Sequence, residues 1–261
     1  MSTATIDPDT RKVPPLGGFN RTILGIELRR MMRNRRTIVF TLVFPTAMFF
    51  VFGSGKGGDE RVGVGNVAAY VMVSMALYGG ALIAASGGAT VAVERALGWS
   101  RQLRLTPLHP IAYILVKALV ALTTAALAVA VVNVIGAFRG QPDMPTATWL
   151  ECIATTLVCT MSFAALGVFV GYLVPGENTM QILGPGLALL SFLGGLFIPL
   201  ASYSPLIRDI AYWTPMYGVA EVARSPLTHE LPWYAVVNAV SWLTIFVAGA
   251  AWRMSEDTAR V

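Results

Sequence analysis

Six long apolar runs organise the chain, at residues 37–52, 67–93, 111–137, 148–174, 179–200 and 233–252. An α-helix needs about 20 such residues to cross a bilayer. The second run carries no charge and, at about 1.5 Å per residue, is some 40 Å long, enough to cross with tilt. The first run is the shortest and contains Pro45; the fifth is uncharged but contains Gly184, Pro185, Gly186, Gly194 and Gly195. Lys117 lies near the start of the third run and Glu151 near the start of the fourth. Membrane barrel strands need only about 9–11 residues, so these runs are too long for a barrel, and in lipid a helix satisfies its own backbone. The pattern predicts an all-α, polytopic membrane protein with six transmembrane helices. It contains no repeat of the kind that builds inverted-repeat carriers.

Before the first run, Leu24, Leu28, Met31 and Met32 fall on one helical face. Arg29, Arg30, Arg33 and Arg36 fall mostly on others, where anionic headgroups would meet them. The spacing predicts an interfacial amphipathic helix over 19–36; the plainer reading is a basic flank that only fixes topology. Residues 1–18, with Pro8, Pro14, Pro15, Gly17 and Gly18, read as a flexible tail. The six-helix domain then occupies 37–252 and a short tail 253–261.

Composition agrees and removes other classes. The chain of 261 residues is 55% hydrophobic and 13% charged, with a mean hydropathy of +0.64. A soluble domain carries about 25% charge, and disordered chains are poor in apolar residues. The net charge of +5 is distributed along the chain in a way that sets topology. Thirteen Lys and Arg residues fall on the side of the N-terminus, against Lys56, Arg61, Arg139, Arg208 and Arg224 on the other. Positive residues stay inside, so both termini are expected in the cytoplasm. No basic folded domain remains for nucleic acid. The first run lacks a persuasive cleavage site after it, so it reads as a retained span rather than a secretory signal.

Little else in the chain carries chemistry. His109 and His229 are expected on opposite sides of the membrane, so they make no metal pair. No Gly-x-Ser-x-Gly elbow occurs. Residues 53–58 imitate a phosphate loop, but Phe50 stands where a glycine is needed and Gly57 where Ser or Thr is needed. Cys152 and Cys159 are two helical turns apart, about 10 Å, beyond disulfide reach. Ser162, Ser191 and Asn133 lie in spans, where packing or interhelical hydrogen bonding is their commoner use. No carboxylate falls at mid-span, as a proton-coupled carrier or ion channel would want; the cargo is then hydrophobic or amphipathic. Gly167 and Gly171 form a GxxxG match, and Ala84/Gly88 and Ser191/Gly195 are small-residue pairs, all candidates for helix contact.

Two connections stand out. Residues 94–110 mix charge with Leu97, Trp99, Leu103 and Leu105 between two breakers, Gly98 and Thr106-Pro107. A short helix there could dock a soluble partner or simply anchor two spans. Residues 199–231 are interrupted by Pro199, Pro205, Pro215 and Pro226, yet Ile207, Ile210, Tyr212, Trp213, Met216 and Tyr217 are too apolar for an open loop. They read as a re-entrant pair of half-helices or as an interfacial aromatic helix.

Glu94, Arg95, Gly98, Leu103, Arg104, Thr106 and Pro107, with Lys117 ten residues on, resemble the coupling segment of type-2 ATP-binding-cassette (ABC-2) exporter permeases, the group that includes daunorubicin-resistance-like drug exporters. Gly194, Gly195 and Pro199, then Pro205, Ile210, Pro215 and Arg224, resemble that family's re-entrant extracellular segment before the last span. Together with the basic first helix, the resemblance covers residues 20–252. Trp99-Ser100 departs from the small or polar pair expected after Gly98.

The resemblance implies a non-enzymatic transport permease whose coupling segment, 94–107 with Arg101 among its charges, meets a separate ATP-binding subunit present in two copies. That partner would bind ATP and Mg; this chain is expected to bind no cofactor or metal. It further implies a second permease subunit, identical or different, and a path lined by the first, second and fifth spans. Phe44, Phe49, Met72, Met75 and Phe192 are candidates for that lining, with packed or lipid-facing positions as the alternative for each. Gly195, Pro199, Pro205, Pro215 and Arg224 would belong to a cap over the exit. The expected setting is a bacterial cell membrane and its lipids, the expected role efflux of drugs, antibiotics or lipids. A membrane scaffold or sensor without transport is the rival reading.

Overall fold

A computed structural model describes residues 21–53, 55, 57–98, 110–174 and 179–259. The order is α1 (Arg21–Arg33), α2 (Arg35–Gly53), a ribbon of β1 (Arg61–Val62) and β2 (Gly65–Asn66), then α3 (Val67–Ala96), α4 (Pro110–Arg139), α5 (Thr146–Leu173) and α6 (Thr179–Leu193). A 3₁₀ turn (Leu200–Ser202) precedes α7 (Pro205–Ala211), α8 (Pro215–Thr228) and α9 (Trp233–Ala259). The ribbon is antiparallel, with Arg61 opposite Asn66 and Val62 opposite Gly65.

Among the described residues, four helices are long and apolar enough to cross a membrane: Val67–Glu94, Leu115–Arg139, Thr146–Leu173 and Trp233–Met254. The first and fifth runs form shorter apolar helices, Val39–Gly53 and Gln181–Leu193. The expected fifth span ran to Leu200, but α6 stops at Leu193. Gly194 and Gly195 follow, and Gly195 takes φ +74°, the left-handed conformation that ends helices. The chain then folds back, with Leu196 N–H donating to the Ser191 carbonyl at 2.9 Å. At about 1.5 Å per residue, fifteen helical residues fall short of a hydrocarbon core of about 30 Å.

Helix α3 is the axis. Its apolar window is 83% buried, whereas that of α9 is 11% buried. A helix that is apolar on every side belongs in an interior, and α3 is wrapped by α2, α4, α5, α6 and α8. Its closest seam is with α5. A Cβ on Gly167 would lie 2.0 Å from the Ala85 carbonyl oxygen, and one on Gly88 would lie 2.3 Å from that of Ala164. The Gly167/Gly171 motif therefore packs backbone to backbone against α3 of the same chain. Helix α2 lies against α3 at Pro45, which cannot donate a helical hydrogen bond; a Cβ on Gly79 would be 3.0 Å from that ring. Cross-helix hydrogen bonds add to this packing. Trp149 Nε1 donates to Asn133 Oδ1 at 2.7 Å and Thr155 Oγ1 to the Ala223 carbonyl at 3.1 Å. Cys152 and Cys159 are buried and unbridged.

At one end of the bundle, the ribbon, the α4–α5 turn and α8 interlock. Asn66 is the joint. Its Oδ1 accepts from Ala69 N at 2.9 Å, capping α3, and from Asp143 N at 3.0 Å, while its Nδ2 donates to the Gln141 carbonyl at 2.7 Å. Val64 N donates to the Leu227 carbonyl at 2.9 Å, which fixes the ribbon on the end of α8.

Candidate functional site

The opposite end gathers charge. Lys117, one turn into the apolar part of α4, donates to Glu27 Oε2 of α1 at 2.9 Å and to Glu94 Oε1 of α3. Arg30 of α1 donates to the same Glu94 oxygen at 2.9 Å and stands 4.0 Å from Glu27. The side chains of Lys117 and Glu94 are 7% and 4% exposed. Among the described residues two cations and two carboxylates balance, which makes burial tolerable: each charge has lost water but gained a partner at hydrogen-bond distance. A cavity of about 250 Å³ adjoins the cluster, lined also by Asn34, Ser86, Thr90 and Thr179. Helices α1, α3 and α4 are thus held at one point, with the start of α6 beside it.

Helix α1, Arg21–Arg33, lies within the expected 19–36 stretch. Leu24, Leu28 and Met31 are half-buried, and Met31 packs on α3, 3.1 Å from where a Gly87 Cβ would be. Met32 is exposed, so the inward face is Leu24, Leu28 and Met31, with Glu27 among them. Arg30 was expected at headgroups; its partner here is Glu94. Arg30 and Arg33 also occupy the last turn of α1, where cations complement the helix dipole. Asn34 closes the helix, its N–H donating to the Met31 carbonyl at 3.1 Å.

Of the expected coupling residues, Glu94 belongs to this cluster and Arg95 follows it in α3. Gly98 ends the turn after α3 with φ +69°, as a breaker should. Arg101, Leu103, Arg104, Thr106 and Pro107 lie outside the described residues, as does His109. The cluster therefore sits where the chain leaves for residues 99–109 and where it returns.

The five candidate lining residues divide. Phe49, Met72 and Met75 are buried core; Met72 faces α4, its sulfur in the space a Gly136 Cβ would need. Phe44 is half-buried and Phe192 exposed, and aromatic contacts connect them. Phe40 stacks on Phe44 at 5.4 Å, Phe44 meets Tyr78 at 5.7 Å, Tyr78 meets Phe197 at 4.9 Å and Phe197 meets Phe192 at 4.8 Å. The rings run from α2 across α3 to the end of α6. On either side Val39, Phe40 and Val43 of α2 and Ile182, Leu189 and Phe192 of α6 are exposed.

Arg224 is the most constrained residue of the opposite end, buried to 1% exposure. From α8 it donates to the Gly195 carbonyl at 3.1 Å, Ser74 Oγ at 3.4 Å and Glu221 Oε1 at 2.8 Å, and its guanidinium lies 4.5 Å from the Tyr70 ring centre. It ties α8 both to α3 and to the turn that ends α6. Pro205 and Pro215 begin α7 and α8, where a missing N–H is harmless. Pro199 caps the 3₁₀ turn. Tyr203 donates to the Phe192 carbonyl at 2.5 Å, and burial raises its phenol above the usual range. Among the described residues no His, Cys, Asp or Glu group could hold a metal ion.

A bundle with, among the described residues, four membrane-length helices, an apolar middle and its buried charges at the two ends is that of a polytopic membrane protein. The chain belongs to the ABC-2 type transporter family, whose model matches residues 20–228, from α1 through α8. It is a transmembrane permease of an ABC transporter. It is similar to "Putative transport permease YvfS" of Bacillus subtilis (strain 168), with 22% identity over 228 residues that cover 85% of this chain and 91% of that protein.

Proposed function

We propose that the chain is the permease subunit of an ATP-driven exporter in a bacterial cell membrane, moving a hydrophobic or amphipathic molecule, drug-like or lipid-like, outward. In this reading α2 and the short α6, around which the bilayer thins, complete six spans, both termini are cytoplasmic, and α7 and α8 form a re-entrant cap on the outer side. Two such permeases pair across the exposed faces of α2 and α6, with the Phe40–Phe192 ring series beside the path. Two separate subunits bind ATP and Mg, and residues 94–107 receive their motion.

The charge cluster carries the proposal. A segment that transmits force needs a stiff attachment, and residues 99–109 leave α3 beside Glu94 and return through α4 ahead of Lys117. A push on them acts on α1, α3 and α4 as one body because these helices share the ion pairs. Helix α3 carries the displacement on to Tyr70 and Ser74, about 30 Å away at 1.5 Å per residue, where Arg224 is held. One rod thus joins the ATPase side to the exit cap, which suits a switch between two packed arrangements.

The test is purification from its own membrane. Copurification of an ATPase whose hydrolysis rises with lipophilic compounds in proteoliposomes, with those compounds accumulating on the far side, is expected. A chain that purifies without a phosphate-loop protein and moves nothing overturns the proposal.

A further inference from the structure

Helices α7 and α8 meet at a sharp break, at Tyr212, Trp213 and Thr214, and side chains of α9 complete the broken backbone. Pro215 has no N–H to give the Ala211 carbonyl, which accepts instead from the N–H and the Oγ1 of Thr214 at 2.9 and 2.8 Å. The next two carbonyls turn to α9. Asn238 Nδ2 donates to the Tyr212 carbonyl at 2.9 Å, and Trp242 Nε1 donates to that of Trp213 at 3.0 Å. Asn238 Oδ1 also accepts from Gly218 N, in the first turn of α8, at 3.2 Å. One amide, donor and acceptor at once, thus serves the end of one helix and the beginning of the next. The approach is close because position 218 is glycine: a Cβ there would lie 2.4 Å from the Ala235 carbonyl oxygen.

The contacts with Asn238 and Trp242 put the break about 8–14 Å into α9 from Trp233. Were that level the membrane surface, only residues 243–254 of the span would remain, about 18 Å, short of a hydrocarbon core of about 30 Å. The outward side of the segment suits lipid: Leu206, Ile210 and Trp213, at i, i+4 and i+7, are exposed, and the charge of Asp209 lies one turn before Trp213.

We propose that Asn238 is a positioning residue of the cap, its amide replacing water at a helix break held inside the hydrocarbon, with the Trp242 indole as the second donor. The inference rests on the reading of α9 as a span and of α7 and α8 as re-entrant. An unpaired backbone group finds no water in hydrocarbon. Without the amide, the Tyr212 carbonyl and the Gly218 N–H must rise toward the surface to be satisfied. Arg224 holds the same cap to α3 and to the end of α6, so the cap is fastened on two sides and α9 moves with it.

The experiment puts a thiol at position 213, where the side chain is exposed and the bond to α9 is made by the carbonyl. W213C and, in the turn between α8 and α9, E230C are compared in the full chain in proteoliposomes, with a membrane-impermeant sulfonated maleimide on both sides. Only a thiolate in water reacts, so E230C should label quickly and W213C several-fold more slowly. N238L, close in shape but without a polar atom, should raise W213C labelling several-fold and leave E230C unchanged. N238Q keeps donor and acceptor and should restore the protection; W242F keeps a ring but loses the donor and should give a smaller rise. W213C labelling as fast as E230C in the otherwise wild-type chain overturns the re-entrant reading, and the inference with it. Slow labelling that N238L leaves unchanged overturns the role of Asn238 alone, as does N238Q labelling like N238L. Labelling of the buried Cys152 and Cys159 marks a variant that has lost its fold. W242F then decides, and unchanged W213C labelling in it overturns the proposal.

Discussion

The carboxylate of Glu94 and the ammonium of Lys117 form an ion pair where α3 and α4 meet, both nearly withdrawn from solvent. Neither helix could keep its charge there alone. A lone buried carboxylate or ammonium would cost several kcal/mol, and the pair is tolerable because Glu27 and Arg30 complete it.

Lys117→Met should therefore be more damaging than removal of both partners. Among the described charges the single change leaves two carboxylates facing one arginine, and breaking a buried pair costs about 3–5 kcal/mol. Glu94→Gln with Lys117→Met leaves Glu27 and Arg30 to pair with each other, and much of the loss should return. Thermal unfolding of the purified variants in detergent reads this order. A double variant less stable than Lys117→Met would show that the cluster does not hold the helices together.

Arg224 should tolerate no substitute. Its fork reaches a carbonyl, a hydroxyl and a carboxylate in different directions, and an ammonium cannot span them. Arg224→Lys is expected to lose most of what Arg224→Ala loses, about 1–3 kcal/mol for the buried Gly195 carbonyl and Ser74 hydroxyl left unsatisfied. Glu221→Gln should cost about as much, because it leaves a guanidinium of 1% exposure without its counter-charge. Proteolysis between α6 and α8 should quicken in the Arg224 variants well below their melting temperature.

What the sequence disclosed follows from what a one-dimensional pattern can hold. Helices α3, α4, α5 and α9 were legible because each is a long apolar run. The apolar spacing marked the stretch that holds α1, and Gly98 marked the place where the chain leaves α3. Glu27 was not legible, because a carboxylate among Leu24, Leu28 and Met31 looks like an accident until its partner Lys117, ninety residues later, is placed beside it. Arg30 looked like a headgroup contact for the same reason. Gly167 and Gly171 announced a close contact but not with what; α3 of the same chain supplies it. The early end of α6 was visible as Gly194-Gly195, yet hydrophobicity continued through Leu196, Phe197 and Ile198 and masked it. Met72 and Met75 are apolar on a helix apolar all round, so periodicity had no face to choose, and both are buried.

The seam between α3 and α5 should be unusually intolerant of a single methyl group. A Cβ at Gly167 or Gly88 would strike backbone rather than a movable side chain. Gly167→Ala must push the helices apart, and overpacking of this sort costs about 1–3 kcal/mol. Gly25→Ala is the control: nothing lies within 4 Å of that position in α1, and alanine favours a helix by about 0.5–1 kcal/mol. Melting temperatures should fall for the first variant and hold or rise for the second.

Charge reversal at Arg101 and Arg104 separates attachment from transmission. Both residues lie between the end of α3 and the start of α4, in the segment proposed to meet the ATPase. If they face the partner, Arg101→Glu with Arg104→Glu should leave the melting temperature of the permease alone near the wild-type value. Copurification of the ATPase should fall, or its hydrolysis should continue without transport. Lys117→Met should show the reverse order, with a less stable permease that still retains its partner at low temperature. Wild-type ATPase stimulation and transport in the doubly reversed variant would remove residues 94–107 from the coupling path. The charge cluster would then be an anchor for α1 and nothing more.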